Sequence, residues 1–133
     1  ETMLTIEEIR DAVTGKGPLV PLCIPVPKWG GDIFVMRMNA DQLDGLQMAW
    51  GRHIEETKGV GYRAFVVAWC LCDENNQPLA RDRDDGENEH TKLWDTLRGE
   101  SASLIDGVYE RAAKINGIMP GDDEAATEAA AKN

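Results

Sequence analysis

Basic charge is scarce in this chain, with 14 Lys and Arg against 24 Asp and Glu and a formal net charge of −10. A surface of that sign repels phosphate, so nucleic acid and anionic membranes are not expected partners. Long apolar runs are also missing. The longest, Ala64–Cys72, falls far short of the ~20 residues a transmembrane helix requires. The beginning of the chain carries Glu7 and Glu8 where a secretory leader would need a basic and then an apolar segment, so no leader is expected. Histidine is limited to His53 and His90, each in a charged context that reads as surface. The three cysteines, Cys23, Cys70 and Cys72, form no C-x-x-C pair and sit among apolar residues, so they read as reduced thiols. No Ser or Cys lies in a nucleophile motif and no Cys/His spacing makes a zinc site. No catalytic, cofactor or metal residue is therefore assigned, and the chain is expected not to be an enzyme.

What is present is enough apolar residue, 42% of 133, for one modest core. Its centre should be the stretch Tyr62–Leu79. Tyr62, Phe65, Val66 and Trp69 recur at the spacing of one helical face, although Phe, Val and Trp are strand formers too. The favoured reading is a helix from Val60 to Trp69, a short strand Cys70–Asp73, a turn at Glu74–Gln77, and a returning strand from Pro78 to Ala80.

Ahead of this stretch, Thr5-Ile6-Glu7-Glu8 is a capping box with Leu4 and Ile9 as its staple. It predicts a helix over Ile6–Thr14, short enough to need tertiary support. Gly15-Lys16-Gly17-Pro18 is a loop without the spacing of a phosphate-binding loop. Leu22, Ile24 and Val26 alternate with prolines, which predicts an edge strand that resists further pairing. Trp29–Asp32 should turn the chain into a partner strand Ile33–Met38, apolar on both faces. Asn39 and Gln42 form a second capping box for a helix reaching about Thr57, with Leu43, Leu46, Trp50 and Ile54 buried.

After the central stretch, Arg81–His90 is a charged loop. It is no EF-hand: with Asp85 and Gly86 in register, Arg81, Arg83 and Lys92 occupy ligand positions. Asn88 can cap a helix bearing Leu93, Trp94 and Leu97. Ser101 or Ser103 opens a last amphipathic helix with Leu104, Ile105, Val108, Tyr109, Ala112 and Ile115 inward, closed at Asn116-Gly117. Residues 120–133, rich in Ala and acid, read as a flexible tail or linker. The expected fold is α+β: one mainly helical domain over residues 3–119, with an N-terminal β-hairpin, a second short hairpin and a flexible C-terminal tail.

The order of these parts resembles the tail assembly chaperones of long-tailed, lambda-like bacteriophages. The resemblance rests on the opening from Met3 to Arg10, on Val26-Pro-Lys-Trp-Gly-Gly-Asp-Ile-Phe-Val, on Ala68-Trp-Cys-Leu-Cys-Asp-Glu-Asn-Asn-Gln-Pro-Leu, and on the closing Ala112-Ala-Lys-Ile-Asn-Gly-Ile. It implies a non-enzymatic protein of the host bacterial cytoplasm, absent from the mature virion, that binds the apolar tape-measure protein and promotes tail-tube assembly. It also implies a longer form, made by ribosomal frameshift near the end of the gene, that contacts the tail-tube protein. Ala131-Lys132-Asn133 is compatible with a slippery codon heptamer there. The rivals are a small enzyme using a carboxylate or thiol and a small acidic inhibitor or adaptor for a basic protein surface.

Four tryptophans are many for one small core, so an exposed partner-binding patch is expected at Leu93, Trp94 and Leu97, unless Trp94 caps the core instead. Surplus apolar faces on Ile33–Met38 and on the last helix suggest reversible self-association.

Overall fold

In a computed structural model of the chain, which describes residues 3–80 and 88–118, four of the five helices described begin at caps read from the sequence. Helix α1 spans Ile6–Thr14, where the Thr5 hydroxyl accepts the Glu8 amide and the Glu8 carboxylate accepts the Thr5 amide, both at 3.2 Å. Helix α2 (Ala40–Thr57) repeats this with Asn39 and Gln42, each bond 2.9 Å. These side chains satisfy first-turn amides that a helix leaves without backbone partners. Asn88 caps α4 (Glu89–Leu97) through the Thr91 amide at 2.8 Å, and Ser101 caps α5 (Ala102–Asn116) through the Leu104 amide. Gly117 closes α5 in the left-handed region at φ 67.

The fold is α+β. Strands β1 (Leu22–Val26), β2 (Gly31–Val35) and β3 (Leu71–Cys72) form an antiparallel sheet in the order β1-β2-β3, with Ile24 opposite Ile33 and Val35 opposite both Leu22 and Leu71. β1 is an edge strand, in keeping with its prolines. The turn lies slightly earlier than expected: Pro27–Trp29 form one 3-10 turn, Gly30 takes φ 85, and β2 starts at Gly31.

β2 also stops earlier than expected, at Val35 rather than Met38. Beyond it the backbone is bonded to other groups. Met36 donates to the Cys70 carbonyl at 2.7 Å, Arg37 exchanges two 2.9 Å bonds with the Asn76 amide, and Met38 donates to Asn116 Oδ1 at 2.6 Å. Side-chain amides here replace a ladder partner, which is how buried main-chain groups stay satisfied off the sheet. The second hairpin is reduced to a single bridge between Cys72 and Pro78 around a turn in which Asp73 Oδ1 accepts the amides of Asn75 and Gln77.

Helix α3 (Tyr62–Cys70) is the hub. Seven of its nine residues are buried, and α2, α4 and α5 pack on it. Phe65, with no exposure, lies against Trp50 at 5.2 Å and Trp94 at 5.1 Å between ring centres. Trp50 meets Tyr62 at 5.1 Å, edge to face, an arrangement favoured by the ring quadrupoles. Gly45 in α2 lies beside the Trp69 ring, where a Cβ would stand at ordinary contact distance, 3.6 Å.

The excess of tryptophan is corrected by this packing. Trp50 and Trp94 are buried, and Trp29 and Trp69 are half-buried against the same core. Of the apolar faces of residues 33–38 and of α5, Val35, Met36, Ile105, Val108, Tyr109 and Ala112 are buried, while Ile33, Phe34, Met38, Leu104 and Ile115 are half-buried. The charged loop assigned to 81–90 falls mostly, and the tail 120–133 wholly, outside the described residues.

Candidate functional site

Of the three residues expected to form an exposed patch, α4 turns two inward. Trp94 retains 3% exposure. Its indole nitrogen donates to the Gly61 carbonyl at 2.9 Å, and the Arg98 guanidinium covers its ring at 4.9 Å. This approach requires glycine at 61, which has φ 90 and where a Cβ would stand 3.2 Å from the Trp94 nitrogen. Leu97 is buried as well. The expectation of an exposed Trp94 is thereby corrected: spaced at i and i+3, Trp94 and Leu97 share the side of α4 that faces α3.

Leu93 is half-buried, and with Leu97 it lines a mainly apolar groove of about 370 Å³ whose other walls include Trp29, Ile33, Leu71 and Leu79, with Asp32 and Thr96 as its polar members. Leu79, 56% exposed, forms its open lip. The Trp29 wall is positioned by Glu100. That carboxylate accepts the Trp29 indole N–H at 2.9 Å, the Lys28 ammonium and the Ser101 amide, and these donors hold its pKa down to about 2.

The larger apolar display is elsewhere. Of the ten exposed large apolar residues among those described, seven lie in residues 3–20: Met3, Leu4, Ile6, Ile9, Val13, Leu19 and Val20. Helix α1 has no buried residue. Ile6, Ile9 and Val13 share one face, while Glu7, Glu8 and Asp11 are acidic. The sequence located this helix correctly and assigned its support to the rest of the domain; the described residues supply none. The Gly15-Lys16-Gly17 joint, with Gly17 at φ 73, was the available signal that the helix is set apart from the remainder of the chain.

Both histidines and two of the three cysteines are packed against the core. His90, read as a surface residue, is 6% exposed, with Nε2 3.2 Å from the Phe65 carbonyl and its ring 4.4 Å from Phe65. His53 is half-buried, 5.3 Å from the Trp94 ring. Burial, and secondarily the neighbouring Cys72, pushes the Cys70 thiol up to about 12. Burial with Asp73 nearby raises Cys72 to about 11. Neither is a thiolate nucleophile near neutral pH. A cleft of about 480 Å³ beside the start of α3 carries Arg63, paired with Asp106 at 2.7 Å. Among the described residues, no group of three or more His, Cys, Asp and Glu side chains is arranged to hold a metal ion, and no helix is long and apolar enough to cross a membrane.

No family model matches the sequence, and no curated protein or solved structure matches it either.

Proposed function

We propose that the chain is a non-enzymatic tail assembly chaperone of a long-tailed, lambda-like bacteriophage. It works in the host bacterial cytoplasm, binds the tape-measure protein, promotes tail-tube assembly, and is absent from the mature virion. One observation carries the reading: residues 3–20 display seven large exposed apolar side chains ahead of a domain whose own core is closed. A helix of nine residues is marginal alone in water and gains stability by laying its apolar face on a partner. An elongated client of amphipathic helices offers such faces repeatedly. Leu79 and Leu93 at the apolar groove provide a second, smaller contact.

Two further partners belong to this reading. A longer frameshifted form contacts the tail-tube protein. Reversible self-association brings copies side by side on the client, and the exposed arm replaces strand 33–38 and α5 as its source.

The test is co-expression with the tape-measure protein, followed by capture in low and high salt. Deleting residues 3–14 abolishes capture while the remaining domain keeps its thermal transition, and capture by the intact chain changes little with salt, as apolar contacts do. Unchanged capture after the deletion sinks the assignment of the arm. A steep loss with salt favours the alternative, an acidic adaptor for a basic surface, for which the net charge of −10 is suited.

A further inference from the structure

Asn116 is the one asparagine in the sequence followed by glycine. It is also the residue that ties the end of α5 to the chain leaving β2. Its Oδ1 accepts the Met38 amide at 2.6 Å, and its Nδ2 donates to the Met36 carbonyl at 2.9 Å and to the Ala112 carbonyl at 3.0 Å. The side-chain amide thus uses its acceptor oxygen and both hydrogens of its donor group at once, across a separation of about eighty residues.

An Asn-Gly pair is also the sequence in which a main-chain nitrogen attacks a side-chain amide with the least obstruction, because glycine has no Cβ. The Gly117 nitrogen bonds to Asn116 Cγ and gives up its proton, the Cγ–Nδ2 bond breaks, and the amino group leaves with that proton as ammonia. Water then opens the cyclic imide at either carbonyl, giving an aspartyl or isoaspartyl residue at position 116. In the fold both reactants are held. The Gly117 N–H donates to the Ala113 carbonyl as the cap of α5, and the Ile118 N–H donates to the same carbonyl at 2.9 Å. Asn116 Cγ is fixed by the three bonds of its amide.

We propose that Asn116–Gly117 is a latent deamidation site, protected while the C-terminal cap of α5 is closed, whose reaction irreversibly dissolves the clamp on residues 36–38. The consequence comes from donor count. A carboxylate at 116 has no N–H for the Met36 and Ala112 carbonyls and sets negative charge against both oxygens. An isoaspartyl link adds a methylene to the main chain at the cap. Opening therefore becomes one-way, and the working lifetime of the folded protein is tied to the integrity of this one cap.

The experiment incubates the full chain at mildly alkaline pH, native and in urea, and follows amide-to-acid conversion at each asparagine by peptide mass spectrometry, with released ammonia as a second readout. In urea Asn116 converts ahead of Asn39, Asn75, Asn76 and Asn88. In the native protein its conversion is slowed by more than about tenfold, since reaction then requires local opening. Asn116→Asp, made directly, keeps an acceptor for the Met38 amide but loses hydrogen-exchange protection at the Gly117 and Ile118 amides that close the cap, or fails to fold, either of which agrees with loss of the Met36 and Ala112 bonds. Equal rates at Asn116 in native and unfolded chains overturn the protection. So does an Asn116→Asp variant whose stability and protection at Gly117 and Ile118 match the parent.

Discussion

Helices α1 and α3 are each nine residues long. α1 has a complete capping box, acidic residues in its first turn, and no buried residue. α3 has no side-chain cap, begins from a glycine at φ 90, and buries seven residues. Local chemistry favours the first and tertiary chemistry the second. A cap contributes about 1 kcal/mol, whereas burying one large apolar side chain contributes about 1.5–3 kcal/mol. α3 therefore dominates the fold with no local help, while α1 carries strong start signals and leaves its apolar face exposed.

The sharpest way to test that contrast is to truncate a large side chain in each helix. Phe65→Ala should cost about 3–5 kcal/mol in chemical denaturation, as a fully buried ring with close aromatic neighbours on several sides. Ile9→Ala should stay within about 0.5 kcal/mol, because it removes no contact within the domain. An equal loss at Ile9 would mean that α1 packs on the core.

Next in size is Gly61→Ala, at the start of α3. The new methyl enters a left-handed position and meets Trp94 and Arg98 at 3.2 Å. A loss of about 1–3 kcal/mol is expected in the same measurement. The two caps make a smaller and more pointed comparison. Ser101→Ala should lower global stability by about 1 kcal/mol, since α5 is part of the core. Thr5→Ala should leave the unfolding midpoint in place and weaken only the amide protection of α1, because that helix opens independently.

The smallest effect concerns pH. Glu100 is lowered from 4.5 to about 2, first by its bond to Lys28, then by those to Trp29 and Ser101. A lowered folded value contributes stability that is complete above the ordinary value and lost as pH falls through the folded one. The clasp on Trp29 is thus unchanged from neutrality down to about 4.5 and released toward 2. The Trp29 indole proton, followed by NMR, should move over that window in the parent and not in Glu100→Gln.

Much of the architecture was legible in residue order. Thr5, Asn39, Asn88 and Ser101 each offer an oxygen to an amide three residues on, a strictly local event, so the starts of four helices were readable from residue type. The alternation of Leu22, Ile24 and Val26 with prolines identified the edge strand for the same reason. The end of β2 was not readable, because Met36–Met38 are satisfied by Cys70, Asn76 and Asn116, residues 34 to 80 positions away. The site was legible only in part. Leu93, Trp94 and Leu97 were rightly placed on one short helix, but nothing in their spacing says how many neighbours that helix will have.

Helix starts, the hairpin, the α+β class, the acidic surface and the amphipathic character of α1 all depend on residues within a turn or two of one another, and residue order was enough for each. Long-range packing was needed to establish that Trp94 and His90 are core, that all four tryptophans pack on that core, and that most of the exposed large apolar side chains among the described residues lie on the N-terminal arm. Burial is a property of what arrives from elsewhere in the chain. An amphipathic stripe announces that a partner is needed, and the arrangement of the whole chain determines whether that partner is internal.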